Sequence, residues 1–567
     1  MSNCIRLSVI LIFLGLALSF AASQVSAMGG HGRGGSDGGV TSSSGENSAF
    51  VGSHYSGSGG CVECHDGLTD SRGNDISIVK AWSTSMMANA ARDPYWKAKV
   101  AAELSRNPHL SDELNDTCTR CHAPMANDAA RKNGAAMGLL GAGGFLDPGS
   151  PYFDHAMDGV SCTLCHQIED DGKLGTLEGI SGNYSVGTYA NPSDRPAYGQ
   201  YTDVRTGPMR MKVQFTPQYG AHTDTSRMCA TCHDLKTPFV DAQGNLASTS
   251  PESEFPEQMP FTEWSNSDYR VGGSREQSCQ GCHMAKVAGS VKIASKPRQV
   301  PQREGFGSHE MLGANTVMLD ILASNREELR VTATGLEEKI ERTRTFLRSA
   351  ADIEVISASV RDGVLEAQVR VTNHTGHKLP TAYPSRRAYI HFLVQDGAGN
   401  RVFESGRLNS NGSVASLAVD EDSTTYEPHH QLITDQDQVQ VYEPIMGDSA
   451  GNVTHTLLRG ATYLKDNRLP PRGFDKLTVP HDVRVAGLAA VDPDFDGGSD
   501  VVTYRVAVGD AAGLTITAEL NYQALSYGHL QDLFRDADLP EVAAFKSMFE
   551  NRAILAETLA SASVEVY

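Results

Sequence analysis

The sequence predicts a multi-domain α+β protein: a mainly helical and irregular N-terminal half, then an antiparallel β-sandwich, then a C-terminal helical segment. Three observations predict it. Five copies of the string C-x-x-C-H fall between residues 61 and 283 and none beyond. The apolar period becomes two after Ile353, and helical spacing returns from Leu525. A chain of 567 residues with 24 prolines and 55 glycines fits two to four domains rich in irregular structure.

At the N-terminus, Arg6 gives a basic start, Leu7 to Phe20 form an apolar run, and Val25-Ser26-Ala27 is a small-residue cleavage site. Residues 1–27 are expected to be a secretory signal peptide, so the chain is expected to be exported to the periplasm, the cell surface or beyond. Residues 28–49 are Gly/Ser-rich and read as a flexible leader, with His31 solvated. No later segment reaches membrane-spanning length, so the mature chain is expected to be soluble.

Residues 50–330 hold the five strings: Cys61, Cys64 and His65; Cys118, Cys121 and His122; Cys162, Cys165 and His166; Cys229, Cys232 and His233; Cys279, Cys282 and His283. Two thiols one helical turn apart add to the two vinyl groups of a haem, and the adjoining imidazole then lies under the iron. A zinc site or a dithiol redox pair also uses C-x-x-C, but neither needs His at one fixed offset five times. The strings use ten of the eleven cysteines and leave none for a disulfide framework, since Cys4 lies in the signal segment. Five covalently attached c-type haems are therefore expected, with the five motif histidines as proximal iron ligands. They would form the core of a region whose short helices, near Trp82–Lys99 and Met318–Leu329, cannot enclose one alone.

Further histidines accompany the strings. His54, His155 and His222 each stand seven residues before a first cysteine, His109 stands nine before Cys118, and His309 follows the last string. These five are candidate distal ligands, because two imidazoles make an iron low-spin and suited to electron transfer. Met86, Met87 and Met284 are the alternative sixth ligands.

Residues 331–352 read as a connector helix, opened by a capping box at Thr334-Gly335-Leu336-Glu337. Residues 353–522 read as the β-sandwich: Val364–Val371 alternates after an Asp362-Gly363 turn, and Tyr389–Val394, Val501–Val508 and Leu514–Leu520 follow. Residues 523–567 read as a helical tail packing through Leu530, Leu533, Phe534, Phe545, Met548, Phe549, Ile554 and Leu555.

Polar clusters in the second half are weaker signals. His374, His377 and Lys378 sit on a turn ending at Pro380, with Arg386 and Arg387 behind; they would ligate a haem, bind propionates, or simply pack between domains. His429 and His430 are adjacent and would face opposite ways in a strand. Asp492-Pro-Asp494-Phe-Asp496-Gly497 opens like a calcium loop, but Thr503 stands where a bidentate Glu is needed, which leaves at most a structural calcium.

The motif contexts resemble those of multihaem c-type cytochromes related to the tetrahaem cytochrome of ammonia oxidisers and, more remotely, to multihaem nitrite and hydroxylamine oxidoreductases. The stretches that carry the resemblance are Trp82-Ser83-Thr84-Ser85-Met86-Met87, Cys118 to Pro124, Gly159-Val160-Ser161-Cys162, Met228 to Asp234, Ser278 to Met284, and Ser308-His309 with Gly313-Ala314-Asn315. The second half is similar to a β-rich extension of some such proteins. The resemblance implies extracytoplasmic electron transfer, with His155, His222 and His309 as distal ligands. No C-x-x-C-K string is present, so oxidoreductase action on a small nitrogen or sulfur compound at a five-coordinate haem is the alternative to an electron carrier. A third reading, a docking module with structural haems, is outweighed by the number of attachment strings.

The formal charge of −20 argues against nucleic acid and anionic membranes as partners. Redox proteins with a basic patch are expected partners, other multihaem cytochromes among them, in an oligomer or a filament. No phosphate loop, nucleophile elbow or catalytic carboxylate pair is present, and so no catalytic residue is assigned.

Overall fold

Alternation of buried and exposed side chains builds two facing sheets in the second half of the chain. The computed structural model describes residues 48–248 and 250–567. The stretch expected to be a signal peptide, and most of the one expected to be a leader, lie outside the described residues, with Cys4 and His31.

One sheet has the order β5-β9-β2-β1, formed by Leu432–Ile433 (β5), Ser499–Ala507 (β9), Val364–Asn373 (β2) and Ala351–Arg361 (β1). The Asp362-Gly363 turn closes the β1–β2 hairpin with φ of 52° and 71°, the left-handed pair a two-residue hairpin needs. The other sheet has the order β4-β3-β10-β11: Arg401–Ser405 (β4), Arg387–Gln395 (β3), Leu514–Gln523 (β10) and Glu557–Val566 (β11), with Val441–Tyr442 (β6) also on β3. Phe392 of β3 stacks on Tyr504 of β9 with centroids 3.7 Å apart, both fully buried, and joins the two inner faces. A hairpin of Pro444–Gly447 (β7) and Thr462–Asp466 (β8) flanks them.

The expected strands are present as β2, β3, β9 and β10, with their ends shifted by up to three residues: β10 runs on to Gln523, and β9 stops at Ala507, one residue short. The tail is corrected: Tyr527–Leu533 (α10) and Pro540–Glu550 (α11) are helical, but residues 557–566 are a strand pairing with β10. Its short alternating side chains, Ala560, Ser561, Ala562 and Ser563, carry little apolar contrast, and the sheet edge supplies the stabilisation. The capping box is also corrected: Leu336–Arg348 (α9) starts after Gly335 at φ 89°, and no side chain caps it.

The first half is short helices and loops. Gly59–His65 (α1), Pro94–Arg106 (α2), Ser111–His122 (α3), Cys162–Cys165 (α4), Ser226–His233 (α5), Pro260–Ser265 (α6), Cys279–His283 (α7) and Thr316–Ser324 (α8) matter most for the site. The helix expected from Trp82 is interrupted; α2 begins at Pro94, where Asp93 accepts bonds from the Tyr95 and Trp96 amides.

Buried polar contacts join the halves. Arg106 of α2 pairs with Asp532 of α10 at 2.8 Å, the Glu103 carboxylate accepts from the Leu457 amide at 2.7 Å, and Arg468 pairs with Glu263 at 3.0 Å. The described residues belong to one compact unit, without a division near residue 330 or 353. Among them, no helix is long and apolar enough to cross a membrane.

Candidate haem site

Each C-x-x-C-H string lies on a helical turn: on α1, α3, α5 and α7, and on α4 with His166 as its C-cap. The turn sets both sulfurs on one side and the imidazole at the helix end. Although far apart in sequence, the strings converge. The Cys61 and Cys162 side chains interact, as do Cys121 with Cys232 and Cys229 with Cys279. Members of all five strings line one connected cavity of about 980 Å³, whose walls include Trp82, Trp96, Phe215, Phe306 and Leu347.

Backbone carbonyls orient three motif imidazoles. The Nδ1 atoms of His65, His166 and His283 lie 3.0, 2.6 and 2.5 Å from the carbonyl oxygens of Ile293, Tyr198 and Leu312. A carbonyl only accepts, so each Nδ1 carries the proton and each Nε2 keeps its lone pair, as a metal-bound imidazole requires. His122 instead lies flat on Trp96, with centroids 4.6 Å apart and planes 6° from parallel. Burial lowers the motif imidazoles, His122 and His233 to about 4, and so keeps them neutral.

Two further imidazoles face motif histidines across the cavity. His309 stands with its ring centroid 6.3 Å from that of His166, planes 24° apart, and His377 stands 6.3 Å from His283, planes 15° apart. Each is held through Nδ1, His309 by the Gly307 carbonyl at 3.1 Å and His377 by that of Lys378 at 2.8 Å.

The donor set fits iron porphyrin better than zinc. Among the described residues, the group of three or more ligating side chains within 4.8 Å is His429, Asp492 and Asp500, without a cysteine. The cysteine pairs would tether the haems, the motif histidines would ligate the irons, and the haems would supply one-electron chemistry when bound.

His54, His109, His155 and His222 are not among the residues that line the cavity, whereas His374 is. His109 is exposed, with Nε2 2.9 Å from the Gly244 carbonyl. His222 is buried, with Nε2 2.8 Å from the Ile168 carbonyl. The His155 ring packs on Phe50 with centroids 4.2 Å apart, and the His54 carbonyl accepts from Gln167. Met86, Met87 and Met284 do line the wall. Trp96 is a site residue that sequence reading passed over; a lone aromatic on a helix face carried no distinguishing signal.

Of the second-half clusters, Arg386 lines the cavity, whereas Arg387 is buried in a two-point pair with Asp420 at 2.7 Å. The His374 Nε2 is taken by Asp352 at 2.7 Å. His429 Nε2 lies 3.0 Å from Asp492, while its Nδ1 accepts from the Gln440 and Asn467 amides at 2.9 and 3.1 Å. The His430 and Glu443 backbone N–H groups fix both amides in that orientation. Nε2 therefore carries the proton, and His429–Asp492 is a structural hydrogen bond in this arrangement. In the calcium-like loop the side-chain oxygens of Asp492, Asp494 and Asp496 accept backbone N–H groups.

Residues 60–167, which hold the first three strings, match the family model described as cytochrome c554 and c-prime. No curated protein matches the chain. A solved structure, a penta-haem cytochrome c552 from Thermochromatium tepidum, aligns at 15% identity over 79% of this chain and 83% of its own, with a TM-score of 0.42. By that match this stretch is similar to multihaem c-type cytochromes, proteins that hold c-type haem covalently.

Proposed function

We propose that this protein is an exported electron-transfer cytochrome with five covalent c-type haems. The observation that carries the reading is the convergence of all five strings on one cavity, with cysteines of different strings side by side, Cys61 by Cys162 and Cys229 by Cys279. Such adjacency brings the macrocycles close enough to pass electrons in sequence. Distal imidazoles keep an iron saturated, so that it changes geometry little on reduction. His309 is the distal ligand at the His166 iron: two imidazole nitrogens bonded at about 2 Å each put their ring centres about 6 Å apart, and the rings stand at 6.3 Å. Redox proteins with basic patches, including other multihaem cytochromes, are the partners that the charge of −20 favours.

A second reading, oxidoreductase action on a small nitrogen or sulfur compound, is favoured by one observation. At His65, His122 and His233, among the described residues, no second imidazole faces the ring at that spacing. Haem content by pyridine haemochrome assay and low-temperature electron paramagnetic resonance test both readings. Five haems with low-spin ferric signals support the carrier. A high-spin signal that moves on adding nitrite or hydroxylamine supports the oxidoreductase, and colourless or zinc-loaded protein from a host with a working attachment apparatus overturns both.

A further inference from the structure

The turn Asn373–Lys378 joins β2 of the sandwich to the strand that follows, yet it projects into the cavity of the other half. Its two histidines have different fates. Both line the cavity, but His374 is partly exposed and its Nε2 is engaged by Asp352. His377 lines the cavity; its Nδ1 is turned to the Lys378 carbonyl, so its Nε2 retains the lone pair. The ring of His283, held in the same way by Leu312, stands 6.3 Å away with its plane 15° from that of His377. That is the spacing of about 6 Å that one metal ion bonded to both imidazoles requires.

The turn is also fixed more firmly than a connection needs to be. The Asn373 amide donates to the carbonyls of His377, Leu469 and Pro470 at 2.9, 3.0 and 3.2 Å. The Lys378 backbone N–H donates to Glu263 of α6 at 3.1 Å, and its ammonium pairs with Asp466 at 2.6 Å where both side chains are buried. Gly376 lies against Trp264 and Tyr269, where a Cβ would come within 3.1 Å of the indole. Burying this much charge is costly, and a fixed ligand position is one return on it.

We propose that His377 is the sixth ligand of the haem tethered at Cys279 and Cys282, opposite His283. The assignment rests on the haem reading above and gives the sandwich a role: it supplies an axial ligand across the two halves of the molecule.

The test uses full-length protein matured with its haems. His377→Ala is expected to keep the full haem complement by pyridine haemochrome while one low-spin ferric signal is replaced by a high-spin one, and added imidazole is expected to restore it. His374→Ala is expected to leave the spectrum unchanged. His377→Met is expected to stay low-spin with one midpoint potential raised, since thioether ligation favours the ferrous state. A fully loaded His377→Ala protein with unchanged low-spin signals overturns the assignment and leaves the haem reading standing. Should that variant not accumulate, unchanged midpoints in His377→Met overturn it equally. Wild-type protein without haem removes the reading on which it rests.

Discussion

Residues 351–566 and residues 48–330 fill their interiors with different material. The sandwich and its flanks bury a continuous cluster of 31 apolar residues drawn from both sheets, with Phe392 on Tyr504 at its centre. The cysteine-rich half divides its apolar side chains: clusters of nine, six and three residues lie within it, and nine more, from Tyr95 to Leu329, join a separate cluster of 20 shared with α9, α10 and α11. A core of the first kind is complete in amino acids; one of the second kind needs a prosthetic group for the missing contacts. The difference teaches that one chain can hold two ways of becoming stable.

The largest effect expected is from withholding haem. In protein made without the attachment apparatus, amides of α1, α3, α5 and α7 should exchange hydrogen without protection while those of β2, β3, β9 and β10 stay protected. Equal loss in both halves would break the comparison. Within the sandwich, Phe392→Ala removes the ring between the sheets and should cost about 3–5 kcal/mol in denaturant unfolding. Asp420→Ala should cost about as much, because it leaves the Arg387 guanidinium buried without its carboxylate.

A smaller effect is expected from pH. Burial, then repulsion from Asp492 and Asp494, pushes the Asp500 carboxyl up to about 8 despite the Tyr442 hydroxyl bonded to it. The folded chain keeps a proton that the unfolded chain releases near pH 4, so this group's contribution to stability falls as pH rises from about 4 to about 8. Asp500→Asn should flatten that slope in pH-dependent unfolding; an unchanged slope would assign it elsewhere. The smallest effect is expected of Glu366→Gln, which breaks an ion pair with Arg505 that is about half exposed on each side and should change unfolding by less than about 1 kcal/mol.

Much of the architecture was legible because its signals are local. The attachment strings, the Asp362-Gly363 turn and the alternation in β2, β3, β9 and β10 each declare themselves within about ten residues. The seven-residue offset of His54, His155 and His222 was equally visible, but the folded chain turns His222 to a backbone carbonyl and packs His155 on Phe50. Regular spacing along a chain does not determine where a ring points. His377 was visible as part of a polar turn, whereas its approach to His283 depends on Asn373, Glu263 and Gly376 meeting from distant segments. The strand Glu557–Val566 was hidden because its pairing with β10, and the Arg344–Glu557 ion pair at 2.7 Å, lie outside the local pattern.

That last strand has a consequence for the order of assembly. It covers the exposed edge of β10 and lies beside β1, the first strand of the sandwich to be made. The two-sheet body therefore cannot close until residues 557–566 have joined strands made up to about 200 residues earlier. Until that strand is in place the cysteine strings, far earlier in the chain, stay joined to an open partner, and its docking becomes the event that seals the molecule.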